Sequence, residues 1–329
     1  MSLLGRAERL AEELLFPAAL AVDGAERVPA GHLDRLAAEG WYGLAGPVEA
    51  GGLDAYATEG ARVAEVLAGG CLATTFVWMQ HHGAVSAVAG STTPGLREAW
   101  LGPLCRGERR AGTALAGLLP GPPRLRATPV DGGYRLDGDA PWVTGWGMVD
   151  TLHVAARTPD DTVVWALVDA VAGPTLAVEP LRMVAVQASA TVHARFAGHV
   201  VPAERVTQTL PFAEWPARDA AALRTNGSLA LGVAGRCCRL IGPSRLDGEL
   251  DACRAALDAG PPRALPPARA AAAELAVRAA NTLVVAYGSR SVLRDQHPQR
   301  LAREALFLLV FGSRPAIRDA LLTRLRATP

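Results

Sequence analysis

A block of short alternating segments, from about residue 113 to 208, interrupts a chain whose pattern is otherwise helical. Asp, Gly and Pro turns separate its runs, which alternate apolar and polar residues or are rich in β-branched residues: "YRLDG" (134–138), "TLHVAAR" (151–157), "TVVWALV" (162–168) and "TVHARF" (191–196). No helix of ten or more residues fits between consecutive runs. The block therefore predicts an antiparallel sheet rather than βαβ units.

Helical periodicity is found on both sides of this block. Near the N-terminus Leu3, Ala7, Leu10 and Leu14 fall on one helix face, and we expect Pro17 to end that first helix. From about residue 209 the helical pattern returns and continues to Arg326. We predict an α+β fold in three units: an N-terminal all-α domain (1–112), a central antiparallel β domain (113–208) and a C-terminal α-helical domain (209–329).

Length and charge limit the classes of function. A chain of 329 residues with 50% hydrophobic residues can bury more than one core. The formal net charge is +1 and no basic block occurs, so we expect no nucleic-acid partner. The sequence contains no lysine, which excludes a Schiff-base lysine and a phosphate-loop lysine.

The cysteines and the apolar stretches indicate where such a chain works. Five cysteines occur without any C-x-x-C spacing, and we interpret them as core residues in a reducing cytoplasm, with metal binding a remote alternative. The N-terminus lacks the pattern of a signal peptide. No stretch of about 18 apolar residues is free of charge, so no membrane span is expected.

Four segments carry a resemblance to a known family. They lie in order along nearly the whole chain: "WYGLAGPVEAGGLDA" (41–55), "DGGYRLDGDAPWVTGWGMVDTLHVAART" (131–158), "VHARFAGHVVPAERV" (192–206) and "HPQRLAREALF" (297–307). The second contains a Trp-x-Thr element after a Gly-Tyr-x-Leu-x-Gly turn, and the last resembles a P-x-x-R-x-x-R-D-A helix. In this order the segments resemble the acyl-CoA dehydrogenase family, which has the predicted sequence of helices, sheet and helices.

The resemblance implies a flavin-dependent oxidoreductase that binds FAD and an acyl thioester, carried by CoA or by a carrier protein. Trp142, Val143 and Thr144 would line the flavin, because the ring needs a flat apolar wall and hydrogen-bond partners near its reactive edge. Backbone amides of Leu115 and Ala116 would reach the other edge. The alternative is that Trp142, like Trp146 and Trp165, is an aromatic core residue of the β domain.

Several flavin-binding side chains of the family are missing. Ala116, Gly117 and Leu118 stand where the family has Thr, Glu and Pro, and the segment 242–250 lacks the Gln and Phe of an Arg-x-Gln-Phe-Gly element. Its Arg245 could reach a phosphate, although a solvated surface arginine is the favoured interpretation. The segment 285–290 has lost a glutamine to Val285. These losses remove contacts on which tight FAD binding depends in the family.

The catalytic base is also absent from its usual place, so the catalytic residue stays unknown. The family's C-terminal glutamate corresponds to Phe311 or Gly312, and the alternative helix position, within 228–242, contains no carboxylate. His81 and His82 are candidates for a base, but core histidines with local hydrogen bonds are the favoured interpretation. We expect His297, before Pro298, to cap a helix.

Three functions therefore remain open. The first is the flavin-dependent oxidoreductase with a displaced base, including a variant that hydroxylates a substrate with reduced flavin and oxygen. The second is a non-catalytic subunit of a hetero-oligomeric dehydrogenase that completes its site with a paralogous subunit. The third is a cofactor-free, cyclase-like biosynthetic enzyme. A homodimer or homotetramer is expected, with contacts at the apolar faces of 281–288 and 305–312.

Overall fold

Helices enclose a central sheet in the computed structural model, which describes residues 2–119 and 121–326. The helices that precede the sheet are Leu3–Leu10 (α1), Phe16–Asp23 (α2), Ala30–Ala38 (α3), Ala61–Gly70 (α4), Leu72–Met79 (α5), His82–Ala89 (α6) and Leu96–Cys105 (α7). Those that follow it are Trp215–Ile241 (α8), Arg245–Ala259 (α9), Leu265–Tyr287 (α10), His297–Val310 (α11) and Pro315–Arg326 (α12). The predicted order of helices, sheet and helices is confirmed.

The sheet is mostly antiparallel. Its strands are Ala111–Ala114 (β1), Leu125–Val130 (β2), Gly133–Val143 (β3), Thr151–Arg157 (β4), Thr162–Asp169 (β5), Leu176–Pro180 (β6), Val192–Pro202 (β7) and Val206–Pro211 (β8). The strand order is β6-β7-β3-β2-β4-β5-β8, with β1 beside β4. Contrary to the prediction, β1 and β2 run parallel to β4, because the chain after β3 returns to the far side of β2.

The first helix does not end at Pro17, so that prediction is wrong. A π-helical turn, Ala11–Leu15, joins α1 to α2, and Pro17 is the second residue of α2. A proline in the first turn of a helix removes no required hydrogen bond, because the first N–H groups of a helix have no intrahelical acceptor. The helical segment therefore continues to Asp23.

One large apolar core joins the N-terminal helices to the C-terminal helices. Its centre is the crossing of α4 and α8, and α10 packs on the other side of α8. At the crossing, Gly232 of α8 lies against the backbone of α4, so that an added Cβ would sit 2.2 Å from the carbonyl oxygen of Glu65. Only glycine permits this approach. A second core fills the sheet.

Within the described residues, no helix is both long and apolar enough to cross a membrane. The same part of the chain contains no group of three or more His, Cys, Asp or Glu side chains placed to hold a metal ion. All five cysteines are unpaired thiols, and four of them are buried: Cys71, Cys105, Cys237 and Cys238. Their interpretation as core residues is confirmed.

Substituting alanine at two helical glycines tests the crossing. Gly232→Ala is expected to lower the free energy of unfolding by about 1–3 kcal/mol, because its Cβ overlaps the α4 backbone. Gly248→Ala on α9, where an added Cβ meets open space, is expected to raise it by up to about 1 kcal/mol through helix propensity. Urea unfolding measures both. Equal effects of the two substitutions would contradict the close approach of the helices.

Candidate functional site

Two segments predicted to line the site are neighbours in the structure. Strand β1 leads into Leu115 and the 3₁₀ turn Ala116–Leu118, and β3 ends at Val143, just before Thr144. The two meet where an added Cβ on Gly112 of β1 would lie 2.9 Å from the carbonyl oxygen of Thr144. The ends of β1 and β3 therefore lie side by side, where the resemblance predicts the flavin crevice.

Trp142 points out of the protein rather than into the sheet. It is 65% exposed, whereas the other six tryptophans are buried or half-buried. Its φ of 62° is in the left-handed region, which a bulky residue adopts only when its surroundings impose it. The interpretation of Trp142 as a core aromatic is wrong, although it holds for Trp165, which is 5% exposed.

Thr144 lies directly behind this tryptophan in a chain of buried hydroxyl groups. Its Oγ1 is 3.2 Å from Oγ1 of Thr191, which is 2.8 Å from Oγ of Ser189. Val143, between Trp142 and Thr144, is fully buried. Our sequence reasoning missed Ser189 and Thr191, although the run of small polar residues "QASAT" before β7 was the available signal.

The loop that carries Ser189 has a strained backbone. Val186 has a φ of 49° and Ala190 a φ of 45°, a conformation especially unfavourable for the β-branched valine. The loop accepts hydrogen bonds from the chain after Trp142, from Gly145 N to Ser189 O (2.9 Å) and from Trp146 N to Ala190 O (3.2 Å). Strain of this kind persists where neighbouring contacts enforce it. Here the two hydrogen bonds hold the segment after Trp142 against the strained loop.

The other predicted flavin contacts, at Leu115 and Ala116, involve main-chain groups. Ala116 is buried and Leu115 is half-buried, and Leu118 N donates to Leu115 O at 2.9 Å. Gly117 lies so close to β4 that an added Cβ would be 2.6 Å from the carbonyl oxygen of Ala155. This loop therefore packs its main chain on the sheet and offers main-chain groups to the crevice.

An aromatic cluster surrounds Phe311, one of the two positions at which the resemblance placed a glutamate. Phe311 lies with its ring centroid 5.0 Å from that of Phe76 on α5 and 5.5 Å from that of Phe307 on α11. Arg269, fully buried, donates to the carbonyl oxygens of Leu308 (3.0 Å) and Phe311 (3.3 Å) and so fixes the end of α11. The end of α11 is therefore apolar and held in place by a buried guanidinium.

Buried carboxylates on α4 and α11 are already paired with arginines. Glu65 accepts from Arg254 at 2.7 Å, and Glu304 accepts from Arg300 at 2.6 Å. Burial raises the pKa of Glu304, against the opposing effect of Arg300. A carboxylate held by a guanidinium is a poor proton acceptor, so neither group is a ready replacement for the missing base.

The two adjacent histidines differ in their partners. His81 Nε2 donates to Leu104 O at 3.1 Å, and its Nδ1 accepts from Ala111 N at 3.0 Å. Burial lowers the pKa of His81 to about 3, so the ring is neutral, and its interpretation as a hydrogen-bonded core residue is confirmed.

His82 is equally buried but makes no such bonds. Neither of its ring nitrogens has a hydrogen-bond partner, so the interpretation of a local hydrogen bond is wrong for this residue. Its ring packs against Trp78 and Tyr56, with centroids 4.5 Å and 5.0 Å away. A buried polar atom without a partner costs about 1–3 kcal/mol, and two of them in one side chain require an explanation.

Two further predictions concern residues outside the crevice. His297 does not cap α11: Gln296 is the N-cap residue, and the His297 ring stacks on Phe16 with centroids 4.2 Å apart, because Pro298 places the imidazole inside the first turn. Arg245 is exposed at the start of α9, as the favoured interpretation expected. It lines a groove of about 610 Å³ together with Arg278 of α10.

Comparisons with known proteins agree with this architecture. Residues 2–108 match the family model described as acyl-CoA dehydrogenase, N-terminal domain. Benzylmalonyl-CoA dehydrogenase of Aromatoleum aromaticum is 30% identical over 163 residues, which cover 46% of this chain and 42% of that protein, less than half of either. The family model therefore covers about a third of the chain, its N-terminal helices.

Solved structures of the family share the fold over the whole chain. Butyryl-CoA dehydrogenase from Megasphaera elsdenii superposes with a TM-score of 0.82 at 17% identity, over 98% of this chain and 97% of that one. A glutaryl-CoA dehydrogenase from Mycobacterium smegmatis, in complex with FADH2, gives a TM-score of 0.81 at 16% identity, over 99% and 94%. At such identities the likeness shows the fold alone.

The buried hydroxyl chain behind Trp142 can be tested by substitution. Thr191→Val is expected to lower the free energy of unfolding by about 1–3 kcal/mol, because it leaves the hydroxyls of Thr144 and Ser189 without their shared partner. The matched control is Thr209→Val, exposed on β8, with an expected change within about 0.5 kcal/mol. Denaturant unfolding of both variants measures the difference, and equal stabilities would argue against the network.

Proposed function

We propose that this chain is an FAD-dependent oxidoreductase that acts on an acyl thioester, with its catalytic base away from the usual C-terminal position. The observation that carries the proposal is the exposed Trp142. Its backbone is strained, and its neighbours are tied down by the Ser189 loop, so its outward position is imposed by the fold. An imposed, exposed aromatic side chain at the edge of a crevice is what a flavin ring stacks on.

The residues of the crevice are compatible with a flavin, although they supply few side-chain hydrogen bonds. Trp142 would pack on the ring, Thr144 would face its reactive edge, and the main chain of Leu115 and Ala116 would meet its other edge. FAD, when bound, accepts the hydride that leaves the substrate. The chain's own contribution is to orient the ring and to exclude water through the apolar side chains of Phe307 and Phe311.

An acyl thioester is supported as the substrate class by the match of residues 2–108 to the family model and by the aromatic cluster. Phe76, Phe307 and Phe311 form an apolar cluster at the end of α11, and we propose that the acyl chain packs on it. The same cluster excludes a carboxylate at the usual position of the base. The proton alpha to the thioester must therefore pass to another group, or the reaction must be one that needs no such carboxylate.

A second candidate function is that of a subunit which completes its flavin site with a paralogue. The exposed apolar side chains of the C-terminal helices favour it. Val285 of α10 is 80% exposed, and Leu306 and Val310 of α11 are 53% and 69% exposed. Exposed apolar side chains of this size on adjacent helices indicate a covered surface. A second copy of this chain is the alternative occupant of that surface.

The absorbance spectrum between about 300 and 550 nm, before and after incubation with FAD and desalting, tests cofactor binding. We expect flavin bands to be retained by the unaltered chain. Trp142→Ala is expected to weaken FAD binding about tenfold through lost stacking, while Trp142→Phe keeps a flat ring and most of the affinity. A chain that stays colourless alone but turns yellow with a co-expressed paralogue would favour the subunit function, and one that stays colourless in both would favour a cofactor-free enzyme.

Substitution of Val310 tests the covered surface. Val310→Glu is expected to convert an oligomer into a monomer, because it would bury a charge without a partner in the contact. Val171→Glu, equally exposed on the sheet domain, is the matched control and is expected to leave the assembly unchanged. Light scattering after size-exclusion chromatography measures the mass. An unaltered chain that is already monomeric would remove the proposal of a homo-oligomer.

A further inference from the structure

His82 is the most anomalous polar group in the crevice region. It is fully buried at the first residue of α6, and both its ring nitrogens lack partners. The neighbouring His81, equally buried, uses both of its nitrogens. A leucine at position 82 would avoid the penalty of burying unpaired polar atoms. The imidazole is therefore explained best by a partner that arrives from outside the chain.

The surroundings of His82 place it beside the proposed acyl site. The chain just before it is fastened to the sheet, since Thr113 Oγ1 of β1 donates to Gln80 O at 2.9 Å. Its ring contacts the ring of Tyr56, whose hydroxyl is hydrogen-bonded to Thr225 of α8. The adjacent Gly83 is exposed, and an added Cβ there meets open space. His82 thus follows a segment bonded to β1 and contacts a tyrosine that is linked to α8.

Asn226 connects this group to the aromatic cluster. It follows Thr225 on α8, and its amide nitrogen is 3.7 Å from a Cβ added to Gly312, the residue after Phe311. Thr225, the partner of Tyr56, therefore directly precedes the residue of α8 that lies next to the end of α11. An acyl chain that packs on the phenylalanines would extend toward the imidazole.

We propose that His82 and Tyr56 form a specificity subsite that binds an uncharged oxygen, a hydroxyl or a ketone carbonyl, on the acyl group. The inference rests on the proposed function, because it assigns the substrate class of the same site. A neutral imidazole offers one donor and one acceptor, and the phenol offers another donor. These groups match a hydroxyl or carbonyl on an otherwise apolar acyl chain.

An uncharged oxygen fits the site better than a carboxylate. Burial is the main cause that holds the pKa of His82 well below its usual value, followed by the neighbouring His81. No guanidinium among the described residues contributes to that shift. A carboxylate would therefore be buried next to a neutral ring without a counter-charge. The dipole of the short α6 helix is a smaller effect than this desolvation.

Four matched thioesters test the subsite by isothermal titration calorimetry with the flavin-loaded protein: butyryl-CoA, 3-hydroxybutyryl-CoA, 4-hydroxybutyryl-CoA and succinyl-CoA. We expect at least one hydroxyacyl-CoA to bind about tenfold more tightly than butyryl-CoA, because only it pairs the imidazole. Succinyl-CoA is expected to bind more weakly than that hydroxyacyl-CoA. Butyryl-CoA as the tightest ligand, or succinyl-CoA as the tightest, would overturn the inference.

Substitution of the two histidines separates the subsite from a structural role. His82→Leu is expected to remove the preference for the hydroxyacyl-CoA while leaving butyryl-CoA binding within about twofold, and to unfold at the same or a higher urea concentration. His81→Leu, the matched control, is expected to unfold at a lower urea concentration, because it strands Leu104 O and Ala111 N. Unchanged selectivity in His82→Leu, or a loss of stability equal to that of His81→Leu, would overturn the inference.

Failure of the proposed function gives a different result. If none of the four thioesters binds, the acyl-thioester function fails and the subsite fails with it. If all four bind with equal affinity, only the subsite is overturned, and His82 is then paired by water alone. Calorimetry reports binding without turnover, so the result does not depend on the identity of the base.

Discussion

The imidazole of His81 fixes the sheet to the N-terminal helices, and the geometry of the crevice depends on that attachment. One ring nitrogen donates to the carbonyl that ends α7, and the other accepts from the first amide of β1. Both bonds are buried and together require the neutral tautomer with its proton on Nε2, and the low pKa keeps the ring uncharged. Strand β1 then carries Leu115 and Ala116 to the wall that faces Trp142. A core histidine thus joins the helices to the strand that carries the proposed flavin contacts.

The hydrophobic periodicity of each segment predicted most helices and strands, because periodicity depends only on residues close together in the chain. Helical stripes, alternating strands and the turn residues between them are local, and so the α+β order followed from them. The error at Pro17 had a local cause as well. A proline ends a helix only where its absent N–H would otherwise donate to a carbonyl of the preceding turn. Pro17 follows the π-helical turn and lies in the first turn of α2, where no such bond is required. The parallel pairing of β2 with β4 could not be predicted, since it depends on which side of β2 the chain returns to.

Only the part of the candidate site that lies in a sequence motif could be predicted. Trp142 and Thr144 were predicted as flavin contacts through a resemblance. The outward direction of Trp142 depends on a left-handed backbone conformation, which its residue type does not predict. Ser189 and Thr191 lie 45 or more residues along the chain from Thr144 and reach it only through the packing of a strained loop. For His81 and His82 the sequence shows two identical side chains. Their different roles arise from helix direction, because consecutive residues on a helix face different neighbours.

The apolar Phe311 and the unpaired imidazole of His82 together set the polarity of the proposed acyl site. Phe311 makes the end of α11 apolar, which strengthens packing against Phe76 and leaves no charge there to polarise a substrate. His82 places hydrogen-bonding capacity at the neighbouring part of the crevice, where an uncompensated charge would be too costly. A site arranged in this way would distinguish ligands by an uncharged oxygen on the acyl group, as proposed for His82. The group that recognises the ligand would then belong to the N-terminal helices, while Phe311 at the end of α11 packs against Phe76.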